Sequence, residues 1–127
     1  MATSTETVMI EVPHEGSVPP ILPEDPMFKL EATTIYISRE QGFAVGIELL
    51  KFLAMQTTSL LRKVRWAKYA VTADVFDESG IHARIKFRIY DVSEKTFAIE
   101  MQRRSGCAVV FGDTFRRAVA FGRASGV

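Results

Sequence analysis

The sequence is poor in the residues that most often carry chemistry. It has one cysteine, Cys107, so no disulfide can form within the chain, which suits a reducing compartment. Its two histidines are His14 and His82. A zinc site draws three or four ligands from His, Cys and carboxylates, and this supply falls short. No cofactor is expected. No proline follows Pro26, and no apolar run approaches the roughly 20 residues of a membrane span. The N-terminus "MATSTETVMIEVPHEG" lacks the basic stretch and apolar block of a secretory signal, and Ala2 departs from the myristoylation pattern. The chain reads as soluble and cytoplasmic, with any membrane contact peripheral.

What is present is an uneven distribution of charge. The 127 residues carry a net charge of +1 and are 47% hydrophobic, enough for one domain with a core of ordinary size. Residues 1–26 contain Glu6, Glu11, Glu15, Glu24 and Asp25 and no Lys or Arg, a net −5 that leaves +6 on the remainder. All five prolines also lie in this segment. Its composition predicts a disordered or extended acidic arm over 1–26, with a single α+β domain over 27–127. An acidic arm on a basic body suggests an anionic partner for the body; ordinary solvation is the plain alternative.

Within the body, "MFKLEATTIYIS" (27–38) reads as a strand from its β-branched and aromatic residues. Ser38 with Gln41 forms a capping-box pattern, and Phe43, Ile47, Leu50 and Ala54 recur at helical spacing, with an end near Thr57 and Thr58. The stretch 60–76 reads as one strand whose second half alternates. "IHARIKFRIY" (81–90) alternates almost perfectly, with Ile81, Ala83, Ile85, Phe87 and Ile89 inward. Pairing Val75 with Ile81 and Tyr69 with Phe87 implies an odd-length loop through "DESG", with Gly80 left-handed. "TFAIEMQR" (96–103) is a further strand, Ser105 and Gly106 a turn, and "CAVVF" (107–111) a short apolar strand. Asp113 then caps a helix that places Phe115, Ala118, Val119 and Phe121 inward and ends at Gly122 or Gly126. The expected fold is α+β in the order β-α-β-β-β-β-α, an antiparallel sheet of four or five strands with two helices on one face.

Catalytic patterns are weak. Cys107 with His82 could form a nucleophile and base, but Cys107 opens an apolar strand, where a structural thiol is the commoner finding. "GFAVG" lacks the lysine of a phosphate loop, and the turn carboxylates Asp77 and Glu78 are poorly held for acid–base work. No enzyme is expected. The informative residues are basic: Arg62, Lys63, Arg65 and Lys68; Arg84, Lys86 and Arg88 along one strand; Arg103 and Arg104; and Arg116, Arg117 and Arg123. A stripe on a half-buried strand is commonly only its solvated face. The candidate anion- or lipid-binding residues are therefore Arg62, Lys63, Arg65, Arg103, Arg104, Arg116 and Arg117, with Trp66 beside the first cluster as an amphipathic ring.

At "RRSGCAVVFGDTFRRAVAF" the chain resembles the kinase-associated C-terminal domain that ends the AMP-activated and microtubule-affinity-regulating protein kinases. "FKLEATTIYISR" resembles that family's opening strand. The resemblance runs through about 27–123 in order of elements and is closest over 100–115. It implies a non-catalytic regulatory module that binds acidic phospholipid through basic patches, restrains a kinase domain, or holds a partner subunit. No kinase domain is present, so the expectation is a domain that stands alone or acts in trans. The leading expectation is binding to an anionic phospholipid surface. The alternative is a protein–protein interaction or assembly domain, with a kinase, another protein or a second copy as partner. Nucleic-acid binding ranks third, because single-strand binders expose aromatic rings on their sheet and this outward face offers only Tyr90.

Overall fold

A computed structural model describes residues 11–56 and 58–125. The first ten residues of the arm, Thr57, Gly126 and Val127 lie outside them. The elements are β1 (Thr34–Ser38), α1 (Gly42–Ala54), β2 (Thr58–Arg65), β3 (Ala70–Phe76), β4 (His82–Ser93), β5 (Thr96–Gly106) and α2 (Ala108–Ser125). They form an α+β fold in the expected order, with a five-stranded antiparallel sheet arranged β1-β5-β4-β3-β2. β2 to β5 form a meander. α1 carries the chain from one edge strand, β1, to the other, β2.

Both helices pack on one face, because the strands present their apolar residues there. Val71, Ala73, Val75, Ala83, Ile85, Phe87, Ile89 and Met101 are almost fully buried. They meet Val45, Leu49, Phe52 and Leu53 of α1, with Val110, Phe111, Phe115, Ala118 and Phe121 of α2. Ile81, expected inward, is half exposed.

The strand order is reached from different segments than the sequence pattern suggests. The stretch 60–76 is two strands, separated by a tight turn in which Lys68 N donates to Arg65 O and Tyr69 N to Trp66 O, both at 3.1 Å. This turn contains no Gly, Pro, Asn or Asp, and Tyr69 takes φ 49° itself. A left-handed tyrosine is costly unless its surroundings hold it. Its ring is buried, lies edge-on to Trp66 at 5.4 Å, and its hydroxyl meets Ser17 Oγ at 2.5 Å. Trp66 is accordingly core, with its Nε1 donating to Glu11 O, and is no exposed interface ring.

The stretch 107–111 is not a strand: Cys107 links β5 to α2, and residues 108–111 are the first turn of that helix. Gly106 at φ 88° ends β5, where a side chain would strike His82 O at 2.5 Å, and α2 starts two residues later. Its buried and partly buried positions Val110, Phe111, Thr114, Phe115, Ala118 and Phe121 follow helical spacing. Asp113 is therefore inside α2 and caps nothing, and α2 continues through Gly122. At α1, Gln41 holds the N-cap position without a side-chain cap bond, and Ser38 ends β1. The β3–β4 hairpin has Gly80 at φ 85° and a three-residue loop closed by Asp77 N to Ile81 O at 2.8 Å. Its register is two residues from the expected one, with Val75 opposite Ala83 and Val71 opposite Phe87, so the faces are preserved.

The described part of the arm is extended and lies against the domain. Pro13 and Pro19 are buried, and they sit on Gly46 and Gly42, which share one side of α1. Asp91 N donates to Pro20 O at 2.8 Å, and Leu22 N to Asp91 O at 3.0 Å. Phe28 then packs edge-on to Tyr90, and Glu31 N donates to Glu100 Oε2. The segment thus covers the β4–β5 part of the face opposite the helices and leaves the β2–β3–β4 part open.

Candidate anion-binding site

The open part of the outer face is built by cross-strand register. Lys63 of β2 stands beside Thr72 of β3, and Thr72 beside Lys86 of β4. Arg65 stands beside Ala70, and Ala70 beside Arg88. Long cationic side chains therefore flank the small residues of a central strand. Neighbouring strands lie about 4.8 Å apart, so the two cationic rows are about 10 Å from one another. The result is a groove of about 410 Å³, lined by these six residues with Lys68, Ala67, Pro20 and Tyr90.

Five of the lining residues are cations and none is acidic. Lys63, Arg65, Lys68, Lys86 and Arg88 make no ion pair among the described residues. Glu100, opposite Arg88, is committed to the backbone N–H of Glu31. Burial, and then the charges of Arg88, Arg104, Lys63 and Arg65, hold the Lys86 ammonium below the ordinary lysine value. Uncompensated like charge of this kind is relieved by an anion.

One end of the groove is bounded by a compensated cluster. Asp74 is buried and accepts two hydrogen bonds from Arg84, at 2.8 and 3.1 Å, with Arg62 at 3.5 Å. The Arg84 hydrogen bonds dominate in holding its carboxyl below the usual aspartate range, with Arg62 and His82 assisting. His82 stacks on Phe76 at 5.1 Å. Only main-chain atoms join His82 to Cys107, which packs at the margin of the core. Among the described residues no three His, Cys, Asp or Glu side chains cluster to hold a metal ion.

Of the seven residues singled out from sequence, the fold gathers Lys63 and Arg65 in the groove and leaves Arg104 close enough to act on Lys86. Arg62 is drawn to Asp74. Arg103 donates to Gly106 O and lines a separate hollow with Phe111. Arg116 pairs with Asp113, and Arg117 bonds Gln56 and Thr114, both on α2 in the opposite layer. The seven do not converge. Lys68, Lys86 and Arg88 were the missed members. The signal of Lys86 and Arg88 was the polar phase of the strand alternation, which without strand order looks like any solvated face; Lys68 lies in the turn between β2 and β3. No protein-family model matches the chain, and no curated protein matches it in sequence.

Proposed function

We propose that this domain is a non-catalytic regulatory binding module that docks on anionic phospholipid through the groove of Lys63, Arg65, Lys68, Lys86 and Arg88. The carrying observation is that five cations and no acidic residue line a part of the outer face that the helices and the described part of the arm leave open, with Pro20 at its margin. Each Lys or Arg near an anionic membrane contributes about 1 kcal/mol, so five give about 5 kcal/mol and a sub-millimolar dissociation constant. The element order is the one implied by the resemblance to the kinase-associated C-terminal domain, which supports the reading, although residues 108–111 open a helix here. Tyr90, the aromatic at the groove, is buried under Phe28, and the exposed Tyr36 lies on β1 at the far edge of the sheet, so the groove lacks the row of stacking rings that single-stranded nucleic acid uses. No described helix is long and apolar enough to cross a membrane.

Vesicle sedimentation tests the reading. The protein should pellet with phosphatidylserine-containing vesicles at low salt and be released as salt shortens the screening length. Equal pelleting with neutral phosphatidylcholine vesicles, or none with either, would overturn it.

A further inference from the structure

The sheet has two edges, and the chain treats them differently. Edge strands expose unpaired N–H and C=O groups, and proteins blunt them with charge, bulges or proline. β2 is blunted twice: it carries Arg62, Lys63 and Arg65, and its register shifts between Leu61 and Lys63. β1, reading TIYIS, has no charge, no proline and no register shift.

The direction of the free groups on β1 follows from its bonds to β5. Arg39 N donates to Lys95 O and Met101 N to Thr33 O, both at 2.9 Å. Odd-numbered residues therefore face β5, and Thr34, Tyr36 and Ser38 turn their N–H and C=O outward. A hollow of about 650 Å³ follows the whole strand, bounded on the helix side by Val119, Gly122 and Arg123 of α2. Tyr36 is 58% exposed.

We propose that β1 is a homodimer edge, with a second copy of this chain adding its own β1 antiparallel about Tyr36. The strand is self-complementary in that arrangement. Tyr36 lies opposite the partner subunit's Tyr36, and Thr34 opposite the partner subunit's Ser38, and each such pair exchanges two N–H···O bonds. The incoming Ile35 and Ile37 point to the helix side and fill the apolar part of the hollow. Because TIYIS is uncharged, the pairing sets no like charges opposite one another along the strand, as it would at β2; of the two arginines that also line the hollow, Arg39 is paired with Glu48 and Arg123 lies on α2. The contact is small, so the dimer belongs with weak interfaces below about 1,200 Å². This inference stands apart from the groove, which lies at the other side of the sheet.

Sedimentation equilibrium of the whole chain from about 5 µM to about 1 mM spans the expected affinities. The mass should climb from 14.2 kDa toward twice that value. Tyr36→Pro removes an outward N–H and the ring at the axis but no bond to β5, and Tyr36→Lys sets two like charges across the axis. Both should stay at the monomer mass with the parent's circular dichroism. Leu60→Lys, at the opposite edge and outside the groove, should dimerise as the parent does. Should the proline variant unfold, the lysine variant decides. A parent that stays monomeric throughout, or a Tyr36→Lys variant that dimerises as well as the parent, overturns the proposal.

Discussion

Lys86→Glu separates the groove from the fold, because it should weaken binding and strengthen folding together. Lys86 sits on the middle of the cationic face, and its charged form is disfavoured by burial and by Arg88, Arg104, Lys63 and Arg65. A glutamate there changes the formal charge of the groove from +5 to +3. At about 1 kcal/mol per charge this removes about 2 kcal/mol of membrane affinity, about thirty-fold. In the free protein the same change replaces repulsion with attraction from four cations. Screened pairs of this exposure contribute a few tenths of a kcal/mol each, so stability at low salt should rise by about 1 kcal/mol. For a domain of this size that is a rise of about 3 to 5 °C in Tm. Sedimentation with phosphatidylserine vesicles reads the first effect, and a thermal melt in low-salt buffer without phosphate reads the second. Undiminished vesicle binding would refute the groove as the site. A Tm that falls would refute the claim that like charge strains the free protein.

Arg116→Glu, in the helix layer, should leave vesicle binding within about two-fold of the parent, since a charge outside the docking surface contributes little beyond a screening length. Gly46→Ala places a methyl 2.9 Å from both Pro13 Cγ and Trp66 Cζ3. It should cost about 1 to 3 kcal/mol in urea denaturation and loosen the arm, read as faster proteolysis near Pro13. Asp74→Ala should cost about 1 to 2 kcal/mol at pH 7 by removing the acceptor of Arg84. Because the folded carboxyl is held below its ordinary value, its contribution is complete above that value and is lost as pH falls through the folded one. The gap between parent and variant should therefore close below about pH 4, as measured by denaturant midpoints at pH 7 and pH 3.

Most of the layer arrangement was legible. The alternation in 81–90 located β4, and the parity of the turn at Gly80 kept its faces correct even with the register two residues off. Two errors mattered. The 107–111 run was ambiguous because a short, wholly apolar stretch fits an inner strand or a helix face equally well. The turn at 66–69 was invisible because its residues carry no turn preference. Tyr69 adopts a left-handed backbone through contacts with Trp66 and Ser17, the latter distant in sequence.

That second miss hid the candidate site. Sequence by itself determined which residues are charged and the period that sends Lys86 and Arg88 to the outer face. It also determined that the glycines at 42 and 46 recur one helical turn apart. Only the tertiary structure decided that the chain reverses at Tyr69 and lays Lys63 and Arg65 two strands from Lys86 and Arg88. It also decided that the arm covers Tyr90 through Phe28 and meets the groove only at Pro20, and that Arg116 and Arg117 fall in the opposite layer. The physical reason is that a strand's own pattern encodes which face a side chain takes. Which strand lies beside it depends on turns and covering segments held by contacts far apart in the chain.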